Sequence, residues 1–131
     1  MNRDRQAELA ENTPFFGHLG IEILQAHEGR ARLKVSFREC LTHPFGYLHG
    51  GVIASLADSA GVNAVLSLLG DDEVAYTLEM KINFFRPTKD ETIEAEGVVI
   101  HKGRRSAGAD VAVTDRAGRM VAKALVTCAL A

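Results

Sequence analysis

The sequence lacks the features that would assign it to a nucleic-acid-binding or membrane-spanning class. Basic residues are not in excess, because 15 Lys and Arg stand against 17 Asp and Glu, and the formal net charge is −2. A nucleic-acid partner requires a basic surface on one face, so the charge balance argues against it. Apolar runs are also short: Asp58 and Asn63 interrupt the longest candidate, and no membrane span is expected.

Cysteine is scarce as well. Cys40 and Cys128 are the only two, and they form neither a disulfide framework nor a close pair of metal ligands. Two reduced cysteines, together with a charged start that lacks the profile of a secretory signal, are typical of a cytoplasmic protein. The chain of 131 residues, 47% of them hydrophobic, is expected to form one domain, 1–131, with a sizeable core.

Two kinds of hydrophobic periodicity divide the chain. A short amphipathic helix is predicted from about Arg3 to Asn12, followed by two strands joined at the glycine turn "HEGR". One long helix, from about Gly51 to Leu69, is apolar around most of its circumference and is closed by Gly70 as a C-cap. Strand periodicity then returns in segments separated by the turn signals "RPTKDE", "HKGR" and "DRAG".

These elements predict an α+β fold. A helix that is apolar on most sides must be buried against a wide surface, and strands joined by short connections pair antiparallel. The arrangement that satisfies both conditions is a curved, mostly antiparallel sheet of about six strands wrapped around one long central helix. The first strand after the helix places four apolar side chains on one face by alternation: Leu78, Met80, Ile82 and Phe84.

Asp58 is the only charged residue in the apolar stretch from Gly50 to Gly70. Buried carboxylates are rare unless they are paired or functional. The helix also carries a polar residue at every fourth position: Ser55, Ser59, Asn63 and Ser67. Asp58 could be a solvated neighbour of this polar stripe, or it could have a function. The pattern alone leaves both interpretations open.

The sequence "HGG" stands where the long helix begins. Unpaired N–H groups of Gly50 and Gly51 at a helix N-terminus favour negative charge, and glycine allows a ligand to approach the backbone closely. An oxyanion hole is one use of such a device, and a plain tight turn is another. Gly50 and Asp58 are about 12 Å apart along one helix, which is too far for both to reach one reacting carbonyl. Two helices packed antiparallel about a two-fold axis would unite them, so a working site requires at least a dimer.

The stretch "GYLHGGVIASLADSAG" resembles the signature of the hotdog-fold acyl-CoA thioesterases, specifically the phenylacetic-acid-degradation (PaaI-like) group. Further similarity lies in "YTLEMKINFFRPT", "HKGRRSAGADVAVTD" and "GRMVAKALVTCAL". The resemblance implies a hotdog fold and hydrolysis of an aromatic or a short- or medium-chain acyl-CoA to free acid and CoA. It also implies a homodimer that forms the active sites at its interface, and such dimers often pair into homotetramers.

The resemblance implies roles for individual residues. The Gly50 N–H polarises the thioester carbonyl, and Asp58 of the partner chain activates water or attacks directly to give a mixed anhydride. His49 orients the carbonyl or the preceding loop, and Thr77 matches a Ser or Thr position that holds the water or the carboxylate. His43 departs from the family pattern, which has Asn or Gln there, and it introduces a group that titrates near neutral pH.

Coenzyme A requires a groove for its pantetheine and positive charge for its phosphates. The expected binding set combines the second glycine of "HGG" with basic residues at turn ends: Gly51, Arg86, Lys102, Arg104 and Arg105. Phe15 and Phe16 could line an acyl pocket or belong to the core. No cofactor is expected apart from the CoA of the substrate, and zinc is not expected, because His43 and His49 have no evident third ligand nearby.

Two other functions fit the same residues. The hotdog fold also serves non-catalytic acyl-CoA-binding proteins, and fold does not determine function. An enoyl-CoA hydratase would use a His and Asp acid–base pair, which His43 or His49 could form with Asp58. The spacing from "HGG" to the acid is more similar to that of the thioesterases, so the resemblance favours thioester hydrolysis.

Overall fold

Three helices, one short 3₁₀ turn and six strands make up the chain, and the computed structural model describes all 131 residues. The helices are α1 (Arg3–Glu11), α2 (Pro14–Leu19) and α3 (Gly50–Leu66), and the 3₁₀ turn spans Glu39–Leu41. The strands are β1 (Ile21–His27), β2 (Arg30–Val35), β3 (Ala75–Phe84), β4 (Ile93–Lys102), β5 (Ser106–Thr114) and β6 (Met120–Leu130). None of the helices has both the length and the apolar character needed to cross a membrane.

All six strands form one antiparallel sheet in the order β1-β2-β4-β5-β6-β3. Hairpins pair β1 with β2, β4 with β5, and β5 with β6, whereas α3 carries the chain across the sheet between β2 and β3. The helix contacts every strand, and its apolar residues form the core together with the inward side chains of the sheet. The predicted sheet wrapped around a long helix is confirmed, and β3 forms one of its two edges.

Two glycines let α3 approach the sheet closely. A Cβ atom on Gly97 of β4 would lie 2.6 Å from the carbonyl oxygen of Ala60, and one on Gly61 would lie 2.8 Å from the side chain of Val126. Larger residues at these positions would push the helix away from the sheet. Both close approaches lie within one helical turn of Asp58. They therefore help to fix the distance between Asp58 and the sheet.

The end of α3 differs from the prediction. The helix ends at Leu66 rather than at Leu69, and Ser67 is its C-cap. The Ser67 hydroxyl accepts a hydrogen bond of 2.8 Å from the Gly29 N–H, which ties the helix end to the β1–β2 turn. Gly70, the predicted cap, does not adopt the left-handed conformation that a glycine C-cap uses. A tertiary contact therefore terminates the helix before the local signal is reached.

The N-terminal segment contains the predicted helix and a second one that the sequence analysis missed. α1 agrees with the prediction to within one residue. α2 begins at Pro14, which suits the first turn of a helix, and ends at Gly20 with a left-handed φ of 76°. Phe16 packs against the core and Phe15 is half exposed, both near β1. These phenylalanines lie at the opposite edge of the sheet from β3.

α1 contacts the polar stripe of the central helix at Asn63. Gln6 Nε2 donates hydrogen bonds to the backbone oxygen of Asn63 at 2.8 Å and to its Oδ1 at 3.2 Å, and both residues are buried. The hydroxyls of Ser55 and Ser59 donate to carbonyls four residues earlier, at 2.8 and 2.7 Å. The polar groups of the stripe thus find hydrogen-bond partners in the helix itself and in α1. Asp58 takes no part in these hydrogen bonds.

Candidate active site

Asp58 extends from α3 toward the edge strand β3. The hydroxyl of Thr77 donates a hydrogen bond of 2.7 Å to Asp58 Oδ1. The other carboxylate oxygen, Oδ2, has no partner in the chain, and the side chain is partly exposed. The structure therefore brings two of the predicted site residues together and leaves one oxygen of Asp58 able to accept a proton or to attack.

A bulge in β3 makes this contact possible. The pairing of β3 with β6 shifts register between Thr77 and Glu79, so Leu78 is the extra residue. Residues three apart in a regular strand face opposite sides, but the bulge lets both Thr77 and Met80 face the helix. The prediction that Leu78 shares a face with Met80 is wrong for this reason, and Leu78 is 67% exposed.

Cys128 lies behind the Asp58–Thr77 pair, on β6 opposite Thr77, and is fully buried. Burial, and then the negative charge of Asp58, raise the pKa of the Cys128 thiol to about 11, while hydrogen bonding with Thr77 acts in the opposite direction. The thiol is therefore neutral at physiological pH and does not act as a nucleophile. No sequence pattern indicates this neighbour, because only the pairing of β3 with β6 brings the two positions together.

His49 caps the N-terminus of α3. Its Nδ1 accepts a hydrogen bond of 2.8 Å from the Gly51 N–H, and its backbone has the extended conformation of an N-cap, with φ −62° and ψ 135°. Its own N–H donates to the Leu41 carbonyl at 2.8 Å. Of the two glycine N–H groups expected to point at a ligand, that of Gly51 is therefore already used within the chain.

Gly50 carries the free N–H of the helix N-terminus. Gly50 is the first residue of α3, and its N–H makes no hydrogen bond within the chain. The unsatisfied N–H groups at a helix start bear partial positive charge, which the helix dipole reinforces. This N–H can therefore stabilise a negatively charged oxygen.

His43 stabilises the turn that precedes α3. Its Nδ1 accepts from the Phe45 N–H at 3.0 Å, and its carbonyl accepts from the Gly46 N–H at 3.0 Å. The imidazole ring also contacts the rings of Phe45 and Tyr47, with centroid distances of 5.6 and 5.8 Å. In a neutral imidazole whose Nδ1 accepts, Nε2 carries the proton, so His43 presents a donor much as an Asn or Gln amide would.

No metal centre is assembled from these residues. His43 and His49 both use Nδ1 to accept backbone N–H groups. The chain holds no group of three or more His, Cys, Asp or Glu side chains that could bind a metal ion.

The basic residues proposed for CoA fall into two separate groups. Arg86 lies two residues beyond the end of β3, where its N–H donates to the Val121 carbonyl at 3.4 Å. The others lie at the β4–β5 turn, at the opposite end of the sheet: Lys102, Arg104 and Arg105. That turn lies near Leu130, which pairs with Ala75 at the start of β3. About 30 Å, the length of a ten-residue strand, separates the groups, so one chain does not use them together.

The two halves of the predicted catalytic pair are also apart within one chain. Gly50 and Asp58 belong to the same continuous helix, and eight residues of helix correspond to about 12 Å. The structure thus contains a donor for an oxyanion and a carboxylate with a free oxygen, but it does not bring them to one point.

Comparison with known proteins identifies the family. Residues 45–122 match the family described as the Thioesterase superfamily. A protein of Saccharolobus solfataricus, provisionally named as an esterase, is 40% identical over 122 residues, which are 92% of this chain and 79% of the relative. The 1,4-dihydroxy-2-naphthoyl-CoA hydrolase of Listeria monocytogenes is 29% identical over 112 residues, 86% of this chain and 91% of the relative.

Solved structures agree with this assignment. The Escherichia coli PaaI protein from the phenylacetic acid degradation operon superposes with a TM-score of 0.89 at 25% identity, over 96% of this chain and 90% of that one. The fold, the matched family and the similarity to the Saccharolobus protein lead to one conclusion: the chain belongs to the thioesterase superfamily and is a thioester hydrolase with the hotdog fold.

Proposed function

We propose that this chain hydrolyses acyl-CoA thioesters to a free acid and CoA, in a homodimer with two equivalent sites. Each site combines the Gly50 N–H of one protomer with Asp58 of the other. The observation that carries the proposal is that these two groups lie about 12 Å apart on one helix. Each has a polar atom that makes no hydrogen bond within the chain, the N–H of Gly50 and Oδ2 of Asp58. A second copy of the same helix can supply the missing half twice over.

The chemistry follows from the two free atoms. The thioester carbonyl accepts a hydrogen bond from the Gly50 N–H, and the helix N-terminus stabilises the tetrahedral oxyanion. Oδ2 of Asp58 removes a proton from a water whose oxygen bonds to the carbonyl carbon, or it adds to that carbon itself to form a mixed anhydride that water then hydrolyses. In the first route the C–S bond breaks as the proton held by Asp58 passes to sulfur, and CoA leaves as a thiol. In the second route the C–S bond breaks as the anhydride forms, CoA leaves as a thiolate, and the thiolate takes a proton from water. Because Thr77 holds Oδ1, Oδ2 is the oxygen that acts.

The exposed edge of β3 supports the pairing of two protomers. β3 has a hydrogen-bonded neighbour only on its β6 side. Two of its residues, Tyr76 and Leu78, are 62% and 67% exposed. A long edge strand with apolar side chains favours pairing with another strand. A two-fold axis beside the middle of β3 and perpendicular to the sheet would pair the strand antiparallel with its own copy.

The register of such a pairing supports a shared site. If the two copies of β3 pair symmetrically along their whole length, Ala75 of one protomer lies opposite Phe84 of its partner. Thr77 is then two residues, or about 7 Å, from the residue opposite Phe84. Thr77 holds Asp58, and the Phe84 ring lies beside Gly50, 3.6 Å from the place that a Cβ atom would occupy. Asp58 of one protomer thus approaches Gly50 of the other.

The same symmetry supports CoA as the carrier. It brings the partner's β4–β5 turn, which contains Lys102, Arg104 and Arg105, to the same end of the joined sheet as Arg86, so the basic groups of two protomers lie at one end. The Listeria relative is named as the hydrolase of a CoA thioester. The scheme uses no cofactor beyond the CoA of the substrate, and pairing of dimers into a homotetramer is not required by it.

Release of the CoA thiol from aromatic and aliphatic acyl-CoAs tests the proposal. We expect turnover by the wild-type protein and a decrease in kcat of about 10²- to 10⁴-fold in Asp58→Asn, which keeps the shape of the side chain but cannot act as a base or nucleophile. Asp72→Asn, an exposed carboxylate in the α3–β3 loop, is the matched control and should retain full activity.

Three outcomes would contradict the proposal. Equal turnover by wild type and Asp58→Asn would remove Asp58 from the mechanism. Binding of acyl-CoA without turnover, in a protein whose mass in solution is that of a dimer or larger, would identify a non-catalytic acyl-CoA binder. Hydration of an enoyl-CoA without thiol release would identify a hydratase.

A further inference from the structure

Phe84 lies against the residue that carries the free N–H. Its ring atoms Cε1 and Cζ would each be 3.6 Å from a Cβ atom on Gly50, which is van der Waals contact. Apart from the adjoining residues and the helix backbone, no other atoms lie within 4 Å of that position. Phe84 is the last residue of β3 and is 49% exposed. One aromatic ring therefore covers one side of the helix start and leaves another side open to a ligand.

The sheet fixes the position of this ring. Phe84 pairs with Ala122 of β6, which is buried, and the following N–H, that of Phe85, donates to the Val121 carbonyl at 2.8 Å. The strand end is thus held next to the start of α3. Phe85 follows Phe84 directly and is 62% exposed, and successive strand residues point to opposite faces. The chain therefore offers a second phenylalanine, in the same segment, that is not in contact with Gly50.

We propose that Phe84 excludes water from the oxyanion formed at the Gly50 N–H, an inference that rests on the proposed thioester hydrolysis. A hydrogen bond from an N–H to an oxyanion stabilises a transition state most where water is absent and the local dielectric is low. Because no other side chain covers Gly50 on this side, removal of the ring would let water solvate both the N–H and the oxyanion.

The expected kinetic effect is on kcat rather than on KM. Negative charge on the oxygen develops in the transition state and is small in the bound thioester, so loss of shielding weakens the transition state more than the ground state. We expect Phe84→Ala to lower kcat about 10-fold and to change KM less than about 2-fold. This decrease is smaller than the loss of about 10²- to 10³-fold in kcat that follows removal of an oxyanion donor itself. Shielding does not depend on the acyl group, so aromatic and aliphatic substrates should lose the same factor.

Four proteins and two substrates test the inference: wild type, Phe84→Ala, Phe84→Leu and Phe85→Ala, each with benzoyl-CoA and hexanoyl-CoA. Phe84→Leu keeps an apolar side chain over Gly50 and should retain kcat to within about 3-fold. Phe85→Ala should match wild type. Light scattering establishes that each variant assembles like wild type, and Phe84→Val, which suits a strand, replaces Phe84→Ala with the same expectation if the alanine variant does not assemble.

Several results would overturn the inference. An unchanged kcat in Phe84→Ala, an equal loss in Phe84→Leu and Phe84→Ala, or a loss confined to KM or to one of the two substrates would each show that Phe84 does not act by excluding water. These results leave thioester hydrolysis by the wild type intact, whereas absence of turnover by the wild type would contradict the proposed function itself.

Discussion

Among the individual residues, Gly50 offers the most direct test of the oxyanion donor. Its N–H has no partner in the chain and occupies the first helical position. Proline is favoured at that position, and the residue before a proline must be extended, as His49 already is with ψ 135°. A Cβ atom at position 50 would meet the Phe84 ring at 3.6 Å, without overlap. Proline can therefore remove this one hydrogen while the backbone keeps its conformation.

We expect Gly50→Pro to have a kcat about 10²- to 10³-fold below that of Gly50→Ala, because alanine retains the N–H and proline does not. Thiol release from an acyl-CoA gives kcat for both variants, and thermal unfolding monitors their folds. Alanine controls for the Cβ atom that both substitutions add, so the comparison tests the point from which the N–H donates, where proline places its Cδ. Equal kcat values would show that another group stabilises the oxyanion.

At the level of elements, the β5–β6 hairpin depends on a buried carboxylate. Asp115 Oδ1 accepts hydrogen bonds from the N–H groups of Ala117 and Arg119 at 3.0 and 2.9 Å, and Oδ2 accepts from Arg119 Nε at 2.8 Å. Burial by itself raises the pKa of Asp115, but the hydrogen bonds and positive charge of Arg119, with the Ala117 N–H, lower it below the ordinary value of 3.8. The turn thus favours the ionised form.

The stability of this hairpin should depend on pH. A carboxylate whose pKa is lowered by folding stabilises the folded state above its ordinary pKa, and the contribution is lost as the pH falls through the folded-state pKa. We expect Asp115→Asn to have a lower Tm than wild type at pH 7, and the difference to shrink below about pH 3, where the wild-type group is also becoming neutral. Asp72→Asn should match wild type at both pH values. A Tm difference that does not change with pH would mean that the charge of Asp115 is unimportant.

At the level of the whole molecule, a site shared between two protomers predicts that two inactive variants can complement each other. If each site takes Gly50 from one protomer and Asp58 from the other, a dimer of one Gly50→Pro chain and one Asp58→Asn chain has one intact site. Its second site carries both substitutions. Two inactive proteins should therefore restore activity when their chains exchange.

Mixing Gly50→Pro and Asp58→Asn in equal amounts, with unfolding and refolding to exchange chains, should give about a quarter of the wild-type specific activity. Random pairing makes half of the dimers mixed, and each mixed dimer has one of its two sites intact. Each variant refolded alone is the control, and light scattering gives the mass of every sample. No recovery in a sample that contains mixed dimers would mean that both groups act within one chain.

Much of the fold could be predicted because the patterns that specify it are local. Alternation along the strands and the apolar surface of α3 gave the sheet and its central helix, and "HGG" marked the helix start. The end of α3 was misplaced because Ser67, held by the N–H of Gly29 in the distant β1–β2 turn, ends the helix before Gly70. A contact of this kind leaves no periodic signal.

The site was predictable only in part for a related reason. Asp58 was conspicuous as the one charge in an apolar helix, but its partner Thr77 came from family resemblance, since the two positions meet only through the packing of α3 on β3. The neighbouring Cys128 was missed because strand pairing brings it there. Gly51 was expected to share the role of Gly50, but the His49 imidazole accepts its N–H, which depends on a side-chain rotamer rather than on sequence spacing.

The sequence by itself determined the α+β class, the central helix and the 12 Å separation of Gly50 and Asp58, because helix geometry follows from the residues along one element, about 1.5 Å for each. Only the tertiary structure decided which atoms remain free to act. The bulge at Leu78 turns Thr77 toward Asp58, His49 accepts one of the two glycine N–H groups, and Phe84 lies beside Gly50, which carries the other. Strand register and side-chain packing depend on residues far apart in the chain, so the pattern within a single element does not encode them.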